Sequence, residues 1–282
     1  MMEQHEKEIN MAASKEKDMK DKPVFERPYD RQSKRLINKI AVITGGDSGI
    51  GRAVCVAFAR EGADVAIVYK KNTEDAEETK RLVEEKGQKA LIIETDISFE
   101  KNCNSVVKQI IDEWGRIDIV VNNAAVQFPQ ETIEDITTEQ MKQTFETNIF
   151  SNFYLVKAAL PFLKKNSAII NTASVVAYRG NPLLLDYSSS KGAIVAFTRT
   201  LAGMLAKKKI RVNAVAPGPI WTPLIVSTFS KEHQRRFGKD TPMKRPGQPA
   251  EVAPAYVFLA SEDASYISGQ VIHINGGEAV NG

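Results

Sequence analysis

Ile40-Ala41-Val42-Ile43-Thr44-Gly45-Gly46-Asp47-Ser48-Gly49-Ile50-Gly51 runs an apolar stretch into a glycine-rich turn, and a helical pattern follows at once. Glycines let the chain turn tightly and bring backbone N–H groups close to a ligand. A helix that opens at Gly49 adds its unpaired amides and the positive end of its dipole. The stretch therefore reads as strand, phosphate-binding turn and helix. An acid pointed at phosphate is unfavourable, so the Asp47 side chain is expected to face away or to cap the loop.

The same alternation continues outward from this unit. Short apolar runs at 40–44, 64–69, 90–94, 117–121, 168–172, 211–216 and 271–274 are separated by helical compositions at 49–60, 74–86, 100–114, 138–163, 186–207 and 250–260. Strands that are apolar throughout fit a parallel sheet covered on both faces. The expected fold class is α/β: a single Rossmann-like, doubly wound parallel sheet of about seven strands with helices on both faces. Residues 39–282 form this body, with no internal repeat or linker to divide it. Residues 1–38 differ: acids and bases alternate there with little apolar periodicity. They read as a charged arm, either mobile or strapped down through Val24, Phe25, Pro28 and Tyr29.

Composition excludes several classes. Of 282 residues, 43% are hydrophobic and 26% charged, as in ordinary globular proteins. A net charge of +3 gives no footprint for nucleic acid or a membrane surface. No apolar run reaches membrane-spanning length, and the arm lacks the apolar core of a secretory signal. Cys55 and Cys103 form no CxxC or ligand cluster, and His5, His233 and His273 show no metal-ligand spacing. A reduced, cytoplasmic protein without a catalytic metal is the expectation.

Tyr187 and Lys191 stand four residues apart in a helical pattern, which places both on one face, one turn apart. A nearby ammonium favours phenolate, so Lys191 is expected to draw the Tyr187 pKa down from its ordinary value of about 10. Tyrosine would then serve a hydroxyl or carbonyl as general acid or base.

These motifs together resemble the short-chain dehydrogenase/reductases. The turn from Thr44 to Gly51 looks like that family's TGxxxGxG segment, and Asn122-Asn123-Ala124-Ala125 is similar to its NNAG segment with alanine in the last place. Asn148, Ser174, Tyr187 and Lys191 match its catalytic tetrad. Pro217-Gly218-Pro219-Ile220-Trp221-Thr222 resembles the PG segment beside the nicotinamide, and Ile274-Asn275-Gly276-Gly277 the end of the closing strand. The resemblance covers essentially all of 39–282.

It implies an NAD(P)-dependent oxidoreductase that interconverts an alcohol and a carbonyl by hydride transfer. The alternative is a catalytically silent dinucleotide-sensing protein on the same fold. By resemblance, Tyr187 exchanges the proton and Lys191 also holds the ribose hydroxyls. Ser174 orients the substrate oxygen, and Asn148 holds a water that connects Lys191 to solvent. The cofactor set is Gly45, Asp47, Ser48, Gly49, Ile50 and Gly51 at the turn, with Tyr69 and Lys70 after the second strand. Asp96 and Ile97 lie at the adenine, Asn123, Ala124 and Ala125 along the adenosine side, and Pro217, Gly218, Ile220 and Thr222 near the carboxamide. NAD selection calls for an acid near the end of the second strand. Here Tyr69-Lys70-Lys71 stands in that place, which slightly favours NADP over NAD. Segment 221–246 is expected to form an apolar wall for an alcohol, aldehyde or ketone substrate. The long helices have more apolar faces than one sheet needs, and the resemblance implies that such helices pair subunits in a homotetramer.

Overall fold

The computed structural model describes residues 35–279. Its first half runs β1 Ile40–Thr44, α1 Gly49–Arg60, β2 Asp64–Tyr69, α2 Thr73–Glu84, β3 Ala90–Glu94, α3 Glu100–Trp114 and β4 Ile119–Asn122. There follow α4 Thr138–Phe145, a π-helical turn Glu146–Phe150, α5 Ser151–Ala159, β5 Ala168–Thr172 and the short α6 Val176–Arg179. The chain closes with α7 Leu185–Leu205, β6 Arg211–Pro217, α8 Pro223–Thr228, α9 Lys231–Arg236, α10 Pro249–Ala260 and β7 Val271–Ile274.

All seven strands lie parallel in one sheet, in the order β3-β2-β1-β4-β5-β6-β7. Successive side chains on a strand point to opposite faces, and here both faces are buried. Ala41 and Ile43 join Val54, Phe58, Val252 and Val257 of α1 and α10 in one core. Ile40 and Val42 join Val106, Ile110, Leu155 and Leu205 of α3, α5 and α7 in the other. That double burial is why the strands are apolar without alternation. The strand order reverses between β1 and β4, and the crevice beyond their carboxyl ends is where such sheets bind ligands.

Several boundaries differ from the sequence expectation. The helix expected over 138–163 is α-helical only in two pieces, because a π turn intervenes at Glu146–Phe150. It ends at Ala159, with Leu160 still helical in backbone, because Pro161 has no N–H to continue the ladder. The fourth strand starts at Ile119 instead of residue 117: the Asp118 carboxylate accepts from the Ile40 backbone N–H at 2.9 Å and turns the chain into the sheet. Residues 35–38, counted above with the arm, belong to the body. Leu36 is completely buried in the core of α1 and α10, and Arg35 pairs with Glu61 at 2.6 Å. Val24, Phe25, Pro28 and Tyr29 lie outside the described residues, as do 280–282. Among the described residues, no helix is long and apolar enough to cross a membrane.

Candidate active site

The glycine turn after β1 and the segment after β4 are built as one piece. Gly45 and Gly46 donate their N–H groups to the Val68 carbonyl at 2.8 and 3.2 Å. The Thr44 hydroxyl accepts from the backbone of Asn123 and Ala124 at 2.9 and 3.1 Å. Asn123 returns its side-chain amide to the carbonyls of Thr44 and Gly45 at 3.0 and 3.2 Å. Its carboxamide is thus spent on the turn, although the residue lines the cleft beside Ala124 and Ala125. Gly45 adopts φ +62°, and a Cβ on Gly51 would lie 1.9 Å from the Gly45 carbonyl oxygen. Only glycine lets helix α1 start this close to the turn. The Asp47 carbonyl accepts from Arg52 Nε at 3.0 Å and from the Thr79 hydroxyl at 2.9 Å. Burial pushes the Asp47 carboxyl above its ordinary range, while hydrogen bonds from its own backbone and from Ser48 oppose this. The side chain therefore closes on its own loop.

A cleft of about 460 Å³ runs from this turn across the carboxyl ends of the strands. Gly45, Asp47, Ser48, Gly49, Ile50, Tyr69, Lys70, Asp96, Ile97, Tyr187, Lys191 and Thr222 line it; Gly51 lies beneath. Lys70 Nζ and Asp96 Oδ2 are 2.6 Å apart, so two residues expected to act separately are paired. Burial raises the Asp96 pKa, but hydrogen bonds from Lys70 and Ser98 outweigh it and hold the carboxyl below its ordinary value. Lys71 is exposed.

Pro217, Gly218 and Ile220 line a second cavity, of about 730 Å³, instead of the cleft. Gly218 is pressed against the closing strand: a Cβ there would stand 2.7 Å from the Asn275 Cα. The cleft and cavity meet along Ile50, Thr172, Tyr187, Thr222 and Leu224. Ser174 lies on the cavity side and Lys191 on the cleft side. Tyr187 stands at the junction.

Helix α7 carries Tyr187 and Lys191 on one face. Lys191 is 1% exposed, donates to the Thr172 carbonyl at 2.7 Å, and stands 5.4 Å from the Tyr187 ring centroid. That separation is within cation–π range. The expected lowering of the tyrosine pKa is not what this arrangement gives. Burial pushes the Tyr187 phenol up to about 12, opposed by a hydrogen bond with Ser174. Burial also pulls the Lys191 ammonium down to about 7. Burial of the two groups thus outweighs the pull of the ammonium on the phenol.

Asn148 sits in the π turn, buried, and this explains a poor helix former inside a long helical pattern. Its Oδ1 accepts from the Val126 N–H at 2.8 Å. Its Nδ2 donates to the Val126 carbonyl at 2.9 Å and to Ser190 Oγ at 3.1 Å. The π turn is thereby tied to α7 at Ser190, one residue before Lys191. A second tie lies at the start of α7, where the buried Asp186 accepts from Thr144 at 2.7 Å and Gln140 at 3.1 Å.

Sequence reasoning missed three polar residues here. Thr172, whose carbonyl holds Lys191, also hydrogen-bonds the fully buried Tyr256 hydroxyl at 2.7 Å and reaches Asn123 at 3.4 Å. Gln127 is buried beside the cavity in the loop after β4. Its signal was a carboxamide between Val126 and Phe128. Helices α8 and α9 cover the cavity within the segment expected as an apolar wall, where no helix is expected from the sequence; Pro223 at the start of α8 and Ser230, which accepts from the His233 N–H at 3.3 Å, mark their beginnings. Both cysteines are buried with thiols pushed up by burial. Among the described residues, no group of three His, Cys, Asp or Glu is placed to hold a metal.

A family profile described as "Enoyl-(Acyl carrier protein) reductase" matches residues 45–278. The uncharacterized oxidoreductase YhxC of Bacillus subtilis (strain 168) is 58% identical over 264 residues, covering 94% of this chain and 92% of its own. The chloroplastic NADPH-dependent aldehyde reductase 1 of Arabidopsis thaliana is 52% identical over 274 residues, 95% of each chain. The crystal structure of a short chain dehydrogenase from Burkholderia cenocepacia J2315 in complex with NADP superposes with a TM-score of 0.81 at 29% identity, over 86% of this chain and 98% of that one. A 3-ketoacyl-(acyl-carrier-protein) reductase from Brucella melitensis complexed with NADH gives 0.77 at 34% identity, over 86% and 98%.

Proposed function

This chain belongs to the short-chain dehydrogenase/reductase family, and on that premise we propose that it reduces an aldehyde or ketone to the alcohol, or runs the reverse, with Tyr187 as general acid/base. The observation that carries the reading is the position of Tyr187 at the junction of the glycine-headed cleft and the substrate-sized cavity. Nicotinamide, when bound, supplies or accepts the hydride.

The glycine turn and the start of α1 fit a pyrophosphate, since the space under the turn admits no Cβ at Gly51. In this reading Asp96 and Ile97 lie at the adenine, Ala124 and Ala125 along the adenosine, and Pro217, Gly218, Ile220 and Thr222 toward the carboxamide. Lys70 and Lys71 receive a 2′-phosphate, which favours NADP(H). The relatives just described support both cofactor forms, and the NADPH-dependent reductase leans the same way.

Tyr187 donates its phenolic proton to the substrate oxygen as a carbonyl is reduced, and takes it back from the hydroxyl in reverse. Ser174, hydrogen-bonded with Tyr187, orients that oxygen and steadies its developing charge. Lys191 uses one of its three donors on Thr172 and keeps two for ribose hydroxyls. Asn148 has spent both amide hydrogens, so only a lone pair of its Oδ1 is left for a relay water. Phe150, Phe153 and Met204 are exposed on neighbouring helices, which supports subunit contacts in a homotetramer; light scattering tests this.

The deciding experiment is an absorbance assay over aldehydes, ketones, sugars and alcohols with both cofactors, run on wild type and Tyr187→Phe. Turnover by wild type that vanishes in the variant is the expected result. A wild type that binds dinucleotide but turns over nothing would favour the sensor alternative.

A further inference from the structure

Several polar side chains around the 730 Å³ cavity already have partners in the protein. Arg179 pairs with Glu278 at 3.5 Å and Arg236 with Glu232 at 3.2 Å. The His233 ring stacks on Phe229 at 4.0 Å, and Asn181 Oδ1 accepts from the Leu183 N–H at 3.0 Å.

Gln127 is different. It is 4% exposed, and its Nε2 donates to Thr228 Oγ1 at 2.8 Å. The direction of that bond is fixed by chemistry. Thr228 has one hydroxyl proton and spends it on the Leu224 carbonyl at 2.7 Å, so its oxygen must accept from Gln127. The amide nitrogen therefore faces α8, and Oε1 points the other way with no hydrogen-bond donor among the described residues. The side chain is nearly buried but lines the cavity, and an acceptor open to a ligand cavity without a protein donor is a place for a ligand's donor.

We propose that Gln127 is a specificity-determining residue: its Oε1 accepts a hydrogen bond from a hydroxyl on the substrate's carbon chain, so the enzyme prefers hydroxylated carbonyl compounds to plain alkyl ones of equal length. The proposal rests on the carbonyl/alcohol reading above. Its logic is that a pocket built around a polar contact discriminates against the analogue that cannot make it, whereas an apolar pocket barely notices a hydroxyl.

The test compares kcat/KM for glyceraldehyde and propanal, both three-carbon aldehydes, in wild type, Gln127→Leu, Gln127→Met and Thr228→Val. Wild type should prefer glyceraldehyde, and either Gln127 variant should lower the glyceraldehyde/propanal ratio at least about tenfold. Gln127→Met, close to glutamine in shape, serves if Gln127→Leu fails to fold. Thr228→Val, which cuts the tie to α8 but leaves Oε1, should keep the wild-type ratio. An unchanged ratio in the Gln127 variants, or the same drop in Thr228→Val, would overturn the role of Gln127 alone. A wild type inert toward both aldehydes with either cofactor would overturn the aldehyde reading and this proposal with it.

Discussion

Lys191 Nζ donates to the Thr172 carbonyl at 2.7 Å while standing 5.4 Å from the Tyr187 ring centroid. The two side chains share a helix face, yet the contacts give them separable work. Deleting the phenol oxygen removes the proton carrier and leaves the ammonium in place. Tyr187→Phe should therefore lose on the order of 10²–10⁴-fold in kcat while binding dinucleotide near wild-type strength. Lys191→Met should lose both turnover and affinity, read by nicotinamide absorbance and by fluorescence titration. Wild-type affinity in Lys191→Met would remove the lysine from the cofactor site.

The buried lysine also makes stability depend on pH. Its folded-state pKa, about 7, lies below the ordinary lysine value. Below about 7 folded and unfolded chains both carry the proton, and the folded protein bears the full cost of burying it. Between 7 and the ordinary value the unfolded chain binds more proton, so stability climbs with pH. The Tyr187 phenol, raised to about 12, opposes this only above its own ordinary value of 10. From pH 7 to 9, wild type should gain roughly 2 kcal/mol relative to Lys191→Met in urea unfolding. A constant difference between the two proteins would contradict a depressed lysine.

Much of this arrangement was legible in sequence because it is local. Each strand that buries both faces reads as an unbroken apolar run, and the turn after β1 declares itself by its glycines. What stayed hidden joins distant positions. Thr172 meets Tyr256 across 84 residues, and Gln127 meets Thr228 across 101. No periodicity encodes such pairs. The π turn escaped for another reason: one residue's change in hydrogen-bond spacing leaves the apolar pattern of 138–159 intact. The tyrosine pKa was misjudged because spacing reports proximity to a charge but not burial, and here burial dominates.

The Lys70–Asp96 pair, 2.6 Å apart with Lys70 about half exposed, sits beside the exposed Lys71. A 2′-phosphate arriving there would compete with Asp96 for Lys70. Lys70→Ala/Lys71→Ala should lower kcat/KM for NADPH about tenfold, the equivalent of about 1.4 kcal/mol, with a smaller change for NADH. Kinetics with both cofactors measure it. A wild type that favours NADH tenfold would end the NADP(H) assignment.

Two glycine-to-alanine substitutions should behave in opposite ways. At Gly51 the added Cβ would lie 1.9 Å from the Gly45 carbonyl oxygen and 2.7 Å from its carbonyl carbon. Backbone cannot yield that far without opening the turn, and the Asn123 amide, 2.8 Å from the same Cβ, holds the turn from the other side. Gly51→Ala should lose dinucleotide binding and destabilise the fold. At Gly203, inside α7, the added Cβ meets nothing within 4 Å. There the methyl only restricts the unfolded chain and improves helix propensity, worth about 0.5–1 kcal/mol. Thermal unfolding with and without dinucleotide separates the two: Gly203→Ala should melt higher and keep its ligand-induced shift, while Gly51→Ala should melt lower and show none. A Gly51→Ala protein that kept the ligand-induced shift would mean the pyrophosphate is held somewhere other than this turn.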